Sequence, residues 1–440
     1  MKALLSLLFF LSPGFALPKP GEQPEDSITN TDQAKHTIYA SHYSGRVYAL
    51  QFDSSSGQLS EAQNLKTCGK KPSWLTIDHE SNTLYCLDEA EGNEPSHVFA
   101  YSIKSDGTLE ETARVDTLSG AVHAAIYGEK KKFIAIASSR AAAVQTFALP
   151  LKESSKPLHT IDYSSTEYSK PYGVYVDPNR QSSVFVLDKG AAYFYVYAVD
   201  DDEGHLAGCQ IRDAYNDYGY KYPIGIRRAA FTKAGNDRSR LHLIDDIQNS
   251  VLHYDVSYTN NTLQQRDQNS TGKPEGCPYV TIADVQWVNY TPENIFIPDT
   301  TYLAEIKAIN DRDVYATYCG DRFFESDDSV MEICETMSGE FSCGYKYEEE
   351  YLKNDGILIA FARKLSPSYG QCPRSFDPSP DGSFLAFANR ISSTVAIVQR
   401  DAESHGVLGG LVAEIHIGTE GAPRQRNGLS SVVWGRAVGA

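Results

Sequence analysis

The chain has 440 residues and a formal net charge of −17 at neutral pH. This acidic excess argues against the basic face that binding to nucleic acid or to an anionic membrane requires. The length fits two or three ordinary domains or one large domain built from repeats, and the repeats described below favour one domain.

The N-terminal residues have the pattern of a secretory signal. Met1 and Lys2 begin the chain with a positive charge, residues 3–11 are apolar, and we expect cleavage after Ala16. The apolar run is too short to span a bilayer, and no later run is long enough. Residues 17–35 are rich in proline, glycine and acidic residues, which predicts a flexible leader. We therefore expect an extracellular protein, either free or associated with a cell wall.

The cysteines and sequons agree with this compartment. There are 8 cysteines, an even number that favours disulfides, and none has the spacing of a zinc site, so we expect neither a metal nor a cofactor. Expected pairs are Cys334 with Cys343, Cys68 with Cys86, and Cys319 with Cys372, although sequence alone leaves the connectivity open. Asn-x-Ser/Thr sequons at Asn260, Asn269 and Asn289 predict glycosylation of at least one site.

From His36 onward a self-similar unit of four short strands recurs, with almost no helical periodicity. The clearest copy contains the strands Pro72–Asp78, Thr83–Glu89, His97–Ile103 and Thr108–Val115, separated by polar turns. Copies of its third strand begin at Arg46, His97, Ala143, Tyr193, Ser250, Gly356 and Thr394. Most spacings match one four-stranded propeller blade, and insertions explain the long interval before Gly356, above all a cysteine-rich stretch at about 321–355.

The two ends of the repeat region complement each other. The first unit begins at its second strand, His36–His42, and an extra strand, Leu429–Arg436, follows the last unit. Pairing of these strands would close a ring and remove exposed sheet edges. The sequence therefore predicts an all-β, seven-bladed β-propeller over residues 36–436. A pair of β-sandwiches would instead show a central linker and no shared unit.

Candidate site residues fall in the loops that meet at one mouth of the predicted channel. These loops contain His42, Glu89, His123, Arg140, Tyr172, Asp188, Arg227, Arg228, Asp246, Arg374, Asn389, Arg390 and Arg426. Several arginines converging in an acidic protein predict a pocket for a carboxylate or a phosphate, because arginine binds both groups bidentately. Alternatively, each arginine pairs with an acidic residue of a neighbouring blade.

Four segments resemble the lactonase-type seven-bladed propeller family, as a secreted, fungal-type member. They are Ile38–Ala62, Lys170–Tyr197, Gly225–Phe231 together with Leu243–Tyr254, and Cys372–Val398, and the resemblance extends over nearly all of the chain after the leader. This family includes bacterial 6-phosphogluconolactonase and the fungal 3-carboxy-cis,cis-muconate lactonizing enzyme. The resemblance implies a propeller with a small carboxylate or lactone bound at its channel, and an isomerase or lactone-hydrolysing activity.

The resemblance also implies site residues, only some of which are present. Arg227 matches the family's arginine, whereas Arg228 stands in place of a histidine and Asp246 in place of a glutamate. Tyr172 replaces a further histidine, and Cys319 replaces a second arginine. An ordinary tyrosine has a pKa of about 10 and is a poor base at pH 5–7, which places the catalytic competence of the site in question.

Two functions remain open. In an enzyme, Arg227 holds a carboxylate, Asp246 orients it, and Tyr172 or His123 moves the proton. Further substrate contacts are expected from Glu89, Asp188, Arg228, Arg374 and Arg390. In the alternative, the protein is a non-catalytic, secreted glycoprotein that binds a glycan or a partner protein through its loops. A monomer is expected in both cases.

Overall fold

A computed structural model describes residues 35–219, 224–247, 250–258, 277–287, 301–311, 313–320, 329–334, 362–401, 406–422 and 425–437. The predicted signal and leader, the sequons at Asn260, Asn269 and Asn289, and Cys343 lie outside these residues. The described residues contain 28 strands and one short helix, α1 (Ala214–Asp217), and all of them belong to one compact unit.

The strands form seven four-stranded antiparallel sheets, numbered here as blades 1 to 7. Blade 1 contains β1 (Lys35–His42), β2 (Arg46–Asp53) and β3 (Gln58–Leu65) together with β28 (Leu429–Ala437). Blade 2 contains β4 (Pro72–Asp78), β5 (Thr83–Asp88), β6 (Ser96–Ile103) and β7 (Leu109–Thr117). Blade 3 contains β8 (Ala121–Tyr127), β9 (Phe133–Ser138), β10 (Ala143–Ala148) and β11 (His159–Asp162). Blade 4 contains β12 (Pro171–Asp177), β13 (Arg180–Asp188), β14 (Tyr193–Val199) and β15 (Leu206–Asp213).

The remaining blades follow the same plan. Blade 5 contains β16 (Ile226–Lys233), β17 (Arg238–Asp245), β18 (Ser250–Ser257) and β19 (Tyr279–Trp287). Blade 6 contains β20 (Thr301–Ala308), β21 (Asp313–Gly320), β22 (Ser329–Cys334) and β23 (Ala362–Pro367). Blade 7 contains β24 (Pro373–Pro378), β25 (Phe384–Asn389), β26 (Thr394–Asp401) and β27 (Val407–His416).

The C-terminal strand closes the ring. β28 pairs antiparallel with β1, and this places Ile38 opposite Trp434 and Ala40 opposite Val432. The inner strands β28, β4, β8, β12, β16, β20 and β24 contact one another in succession, and β24 in turn contacts β28. The prediction of a seven-bladed propeller closed by the C-terminal strand is therefore confirmed.

One strand prediction differs from the structure. In blade 6 the third strand is Ser329–Cys334, which pairs with β21 and lies inside the range predicted to be an insertion. The segment beginning at Gly356 was predicted to be this strand, but it lies outside the described residues up to 361. The prediction followed the apolar run, whereas β22 carries a mixed sequence, SVMEIC, whose strand pattern is weak.

The core lies between the blades, because each blade packs a face against each neighbour. Middle strands are therefore apolar on both faces, and β5 (TLYCLD) is buried at five successive residues. Outer strands are half exposed, and β7 shows an alternating burial pattern. At the ring closure, Trp434 and Ile38 of blade 1 pack in one cluster with Val395 of blade 7. This packing makes the closing strand part of the core.

Three disulfides are formed among the described cysteines. Two of them, Cys68–Cys86 and Cys319–Cys372, are pairs that the sequence analysis expected. The third, Cys209–Cys277, links the outer strand of blade 4 to the segment before β19 of blade 5. Cys334 ends β22, but the pairing expected with Cys343 lies outside the described residues.

Candidate functional site

A β-bulge near the start of every inner strand builds the mouth of the channel. In each strand the register shifts by one residue, so one extra residue stands between two paired positions. The extra residues are Ser73, Val122, Tyr172, Arg227, Ala304, Arg374 and Ser430. A bulge redirects the side chains around it, and here it brings both the extra residue and its successor to the channel wall.

A repeated hydrogen bond places a second set of residues beside the bulges. The residue that follows the end of a second strand donates its amide to the carbonyl just before the inner strand of the same blade. The donors are Tyr43, Glu89, Ser139, Lys189, Asp246 and Arg390. In blade 6 the position of Arg390 is occupied by Cys319, which is opposite Tyr302 in the register. We call Tyr172, Arg227, Arg374, Tyr302 and the charged or aromatic residues of this second set the mouth layer.

Tyr172 is at the centre of the mouth layer, between two arginines. The Cζ atom of Arg227 lies 5.3 Å from the centre of the Tyr172 ring and 5.5 Å from that of Tyr302. Arg374 interacts with the side chains of Tyr172, Tyr302 and Tyr43, and its Cζ atom lies 5.6 Å from the Tyr43 ring. Tyr172 and Arg374 both retain partial exposure to solvent.

The two arginines hold Tyr172 in an unusual protonation range. Burial raises the pKa of Tyr172, but the positive charges of Arg227 and Arg374 lower it, so that it falls from 10 to about 7. This shift favours the phenolate form of Tyr172 relative to an ordinary tyrosine. The ordinary tyrosine pKa of about 10, which argued against a tyrosine as the base, does not apply at this position.

Asp246 forms an ion pair with Arg227. Its Oδ2 atom lies 3.5 Å from Nη1 of Arg227 and also binds the Lys189 ammonium group. The approach of Asp246 depends on Gly225, because a Cβ atom there would lie 2.5 Å from Asp246 Oδ1. Arg227 and Asp246 are both less than a tenth exposed, so this ion pair is only weakly screened by solvent.

Arg374 has no carboxylate within ion-pair distance among the described residues, whereas Arg227, Arg140 and Arg426 each have one. Its Nε atom is buried and has no hydrogen-bond acceptor. The Nε atom of Arg227 also has no acceptor in the described part of the chain. Unpaired buried guanidinium donors are costly, and an anionic ligand at the channel mouth would satisfy them.

Glu89 forms the opposite rim of the mouth. Its Oε1 atom lies 2.8 Å from Nη1 of Arg426 and 3.4 Å from Nη1 of Arg140 in blade 3. Burial raises the pKa of Glu89, while Arg426, Arg374 and Arg140 oppose that rise. The alternative expectation, that arginines pair with acids of neighbouring blades, describes Arg140 and Arg426 well.

In blades 2, 3, 5 and 6 the residue that directly follows the extra residue of the bulge is Trp74, His123, Arg228 and Glu305, respectively. We call these four residues, together with Tyr175, the inner layer. Arg228 is 2% exposed, and its Nε atom donates to Glu305 Oε2 of blade 6 at 3.2 Å. The Trp74 ring centre lies 4.7 Å from the Arg228 Cζ atom. Arg228, predicted as a substrate contact, thus has an ion-pair partner and two ring contacts within the protein, the second of them with the Tyr172 ring 5.3 Å from its Cζ atom.

His123 also belongs to the inner layer and not to the mouth. Its ring lies between those of Trp74 and Tyr175, with centres 4.2 and 4.6 Å away. Its Nδ1 atom accepts the amide of Val174 at 3.2 Å. Burial, Arg228 and Lys307 all lower its pKa well below the ordinary value. The structure thus places His123 among packed rings, where burial disfavours its protonated form.

Asp188 directly precedes Lys189, which belongs to the mouth layer. Its Oδ1 atom accepts the amides of Lys170 at 2.7 Å and of Gly190 and Ala191 at 3.0 Å, and the residue is fully buried. Asp88 has the same role in blade 2, where it accepts the amides of Lys70, Lys71 and Ala90. Asp188 therefore fixes a loop, and its role as a substrate contact stays a prediction.

The sequence analysis missed Lys189, Tyr43 and Tyr302. A signal for Lys189 was present, because the second strands end in LDE, LDK, IDD and ANR at corresponding positions. The first polar residue of each pair holds the loop and the second faces the mouth. Aligning the pairs would have selected Lys189 over Asp188. Tyr43 and Tyr302 gave no such signal, since aromatic residues are frequent in every blade.

Arg390 faces the cystine in the wall between blades 6 and 7. Its Nη2 atom lies 3.9 Å from the Cys319 Sγ atom, and its Nη1 atom donates to the Gln425 carbonyl at 3.4 Å. The described residues include no cluster of three or more histidine, cysteine or acidic side chains that could hold a metal ion. No helix in the described ranges has the length and apolar character needed to cross a bilayer.

Comparison with known proteins gives a consistent result. The family described as lactonase, seven-bladed β-propeller, matches residues 36–317 and 357–422. A search of curated proteins found no match. A periplasmic gluconolactonase from Pseudomonas aeruginosa superposes with a TM-score of 0.66 at 15% identity, over 92% of this chain and 99% of that one.

Two further solved structures have the same fold. A protein from Lactobacillus plantarum superposes with a TM-score of 0.66 at 15% identity, over 91% of this chain and 99% of that one. A putative 6-phosphogluconolactonase from Bacteroides fragilis gives a TM-score of 0.63 at 14% identity, over 93% and 99% of the two chains. At these identities the superpositions establish the architecture alone.

Proposed function

Because the chain belongs to the seven-bladed β-propeller lactonase family, we propose that it is a secreted enzyme of lactone chemistry whose active site is the mouth layer. Its substrate is a small lactone that carries a carboxylate, or the corresponding open acid. The observation that carries this proposal is the Tyr172 phenol held between Arg227 and Arg374, with its pKa lowered to about 7.

In hydrolysis, the Tyr172 phenolate removes a proton from a water molecule while the water oxygen attacks the lactone carbonyl carbon. Arg227, oriented by Asp246, donates to the carbonyl oxygen as it becomes negative. The ring C–O bond then breaks, and the leaving alkoxide takes the proton back from Tyr172. Arg374 binds the substrate carboxylate, because its buried Nε atom has no acceptor within the described chain and the residue is partly exposed.

The same groups suit lactonization of a muconate, the reaction that the family resemblance implies. One carboxylate of the substrate adds across a double bond, and the Tyr172 phenol donates its proton to the neighbouring carbon. Arg374 and Arg227 would hold the two negatively charged ends. The proposed substrate class therefore includes 3-carboxymuconate as well as sugar-acid lactones.

Secretion is supported by the signal-like N-terminus and by the disulfides Cys68–Cys86, Cys209–Cys277 and Cys319–Cys372, since such bonds persist in oxidising compartments. The structural relative from Pseudomonas aeruginosa is itself periplasmic. Glycosylation at Asn260, Asn269 or Asn289 would follow from export through a secretory pathway.

The test compares a neutral lactone with a charged one, using the chain without residues 1–16. Hydrolysis of D-glucono-1,5-lactone and of D-glucaro-1,4-lactone is followed by acid release, and 3-carboxymuconate by loss of ultraviolet absorbance. We expect kcat/KM at least tenfold higher for glucarolactone than for gluconolactone, and we expect Arg374→Gln to abolish this preference. The rate should rise as the pH passes about 7, because the phenolate of Tyr172 is the base.

A matched control is Tyr168→Phe, a substitution at an exposed tyrosine that lies outside the mouth layer. It should leave turnover unchanged, whereas Tyr172→Phe should lower it by about 10²–10⁴-fold. Absence of turnover of all three substrates by a folded protein would contradict the enzymatic proposal. Calorimetric titration with D-glucarate would then decide whether a non-catalytic anion pocket remains.

A further inference from the structure

The Cys319–Cys372 disulfide lies in the wall of the mouth layer. Cys319 occupies in blade 6 the register position that holds Asp246 in blade 5 and Arg390 in blade 7. Both cysteines are fully buried. The bond therefore joins blades 6 and 7 at the channel, whereas Cys209–Cys277 joins blades 4 and 5 at the outer rim.

The cystine contacts residues on both sides of the candidate site. The Tyr302 hydroxyl lies 3.8 Å from the Cys372 Sγ atom, and the Tyr302 ring packs on Arg227. The Cys319 Sγ atom lies 3.9 Å from Nη2 of Arg390. Cys372 also stands two residues before Arg374, at the start of the bulge that directs the Arg374 side chain towards Tyr172.

The backbone at Cys372 has a conformation that normally calls for glycine. Its φ angle is +60°, and the equivalent residues in blades 3 and 1 are Gly120 and Gly428, with φ angles of +81° and +74°. All three carbonyls accept the repeated hydrogen bond of the mouth, in blade 7 from Arg390 at 2.8 Å. A residue with a Cβ atom is disfavoured in this left-handed region and persists only where its surroundings hold it.

We propose that the Cys319–Cys372 disulfide is a positioning element of the candidate site: it holds Cys372 in the left-handed conformation and thereby fixes Arg374 and Tyr302 for binding a carboxylate. This inference rests on the proposed function of the mouth layer. The disulfide would thus stabilise at Cys372 the positive φ angle that glycine adopts at the equivalent positions of blades 1 and 3. It also makes carboxylate affinity depend on the oxidised state of this one disulfide.

The experiment compares two disulfides that both join neighbouring blades. The site variant is Cys319→Ser with Cys372→Ser, and the matched control is Cys209→Ser with Cys277→Ser at the rim. Binding of D-glucarate is measured by calorimetry, and the ultraviolet titration of tyrosinate reports the pKa of Tyr172. We expect the site variant to weaken binding at least tenfold and to raise the Tyr172 pKa, because Arg374 moves away from the phenol. The rim variant should bind within twofold of the parent.

A third variant separates positioning from general stabilisation. Cys319→Ser with Cys372→Gly lacks the bond but accepts a positive φ angle, so we expect it to recover binding to within about threefold of the parent. This variant also decides the question if the serine pair does not fold. A folded site variant that binds like the rim control would overturn the inference, as would a folded glycine variant with no recovery of affinity.

The result is separable from the fate of the proposed function. If the parent protein does not bind glucarate, the carboxylate pocket fails on its own. The Tyr172 titration still tests positioning in that case, because it depends on the distance between Arg374 and the phenol and requires no ligand. An unchanged titration in the folded serine variant would overturn the positioning role of the disulfide.

Discussion

The mouth layer and the inner layer of the channel use similar residues for different purposes. Arg227 and Arg228 are adjacent on β16 and, because of the bulge, both face the channel wall. The guanidinium group of Arg228 pairs with Glu305 and packs on an aromatic ring. In contrast, the buried Nε atoms of Arg227 and Arg374 have no hydrogen-bond acceptor within the described residues. The inner layer therefore supports the structure and the mouth layer is available to a ligand. The site is therefore identified by side chains whose polar groups lack a partner within the described chain, and not by residue type.

The largest expected effect is on catalysis at the mouth. Tyr172→Phe removes the proposed proton-transfer group between Arg227 and Arg374, so we expect kcat on the preferred lactone to fall by about 10²–10⁴-fold. The unfolding midpoint in denaturant should stay close to that of the parent. A Tyr172→Phe enzyme with parental kcat would show that the mouth layer, like the inner layer, supports the structure and does not catalyse the reaction.

In the inner layer the largest effect falls on stability. Arg228→Met leaves Glu305 buried without its partner, and we expect a loss of about 3–5 kcal/mol in the free energy of unfolding. The paired change Arg228→Met with Glu305→Leu should recover most of this loss, since it removes both charges. Denaturant unfolding of the two variants measures the difference. Equal stability of the single and the paired variant would contradict the structural role of the ion pair.

Adjacent residues at the end of β13 test the same division on a smaller scale. Asp188→Ala leaves three loop amides without their acceptor, and we expect a loss of about 1–3 kcal/mol of stability. Lys189→Ala removes a half-exposed ammonium beside Asp246, so stability should change by less than about 0.5 kcal/mol. Turnover of the Lys189 variant should fall only a few-fold. The reverse pattern would show that Lys189 supports the structure and that Asp188 belongs to the site.

The smallest effect concerns the pH dependence of stability in the inner layer. Burial lowers the folded-state pKa of His123 well below its ordinary value of 6.5, so the unfolded chain takes up the proton first as the pH falls. Stability is therefore lost below about pH 6.5, by at most about 1.4 kcal/mol at pH 5.5 from this residue. Unfolding of the parent and of His123→Gln at pH 7.5 and 5.5 measures the difference. An identical pH dependence in both proteins would contradict a buried, neutral His123.

The fold could be read from the sequence because it repeats a local pattern. Four short strands with polar turns recur along the chain, and the partial units at the two ends complement each other. Blade 6 was harder to trace, since β22 is short and mixed in polarity while the competing segment at Gly356 is strongly apolar. Strand pairing depends on long-range contacts that an apolar run does not encode.

The candidate site was only partly predictable. Tyr172, Arg227, Asp246 and Arg374 were selected because they stand at loop positions that reach the channel. Sequence could not show that Arg228 would be neutralised by Glu305, because this ion pair joins residues of different blades. Nor could it show the lowered pKa of Tyr172, which depends on the distances to two arginines from separate strands.

Closure of blade 1 by β28 has a consequence for synthesis of the protein. Blades 2 to 7 are each continuous in sequence, so each can form its hairpins as it leaves the ribosome. Blade 1 cannot, because β1 is made first and its partner β28 is among the last strands translated. Throughout elongation the edge of β1 stays open to other strands, including those of neighbouring nascent chains. A stop codon before Leu429 would make that exposure permanent, which predicts aggregation of the truncated product.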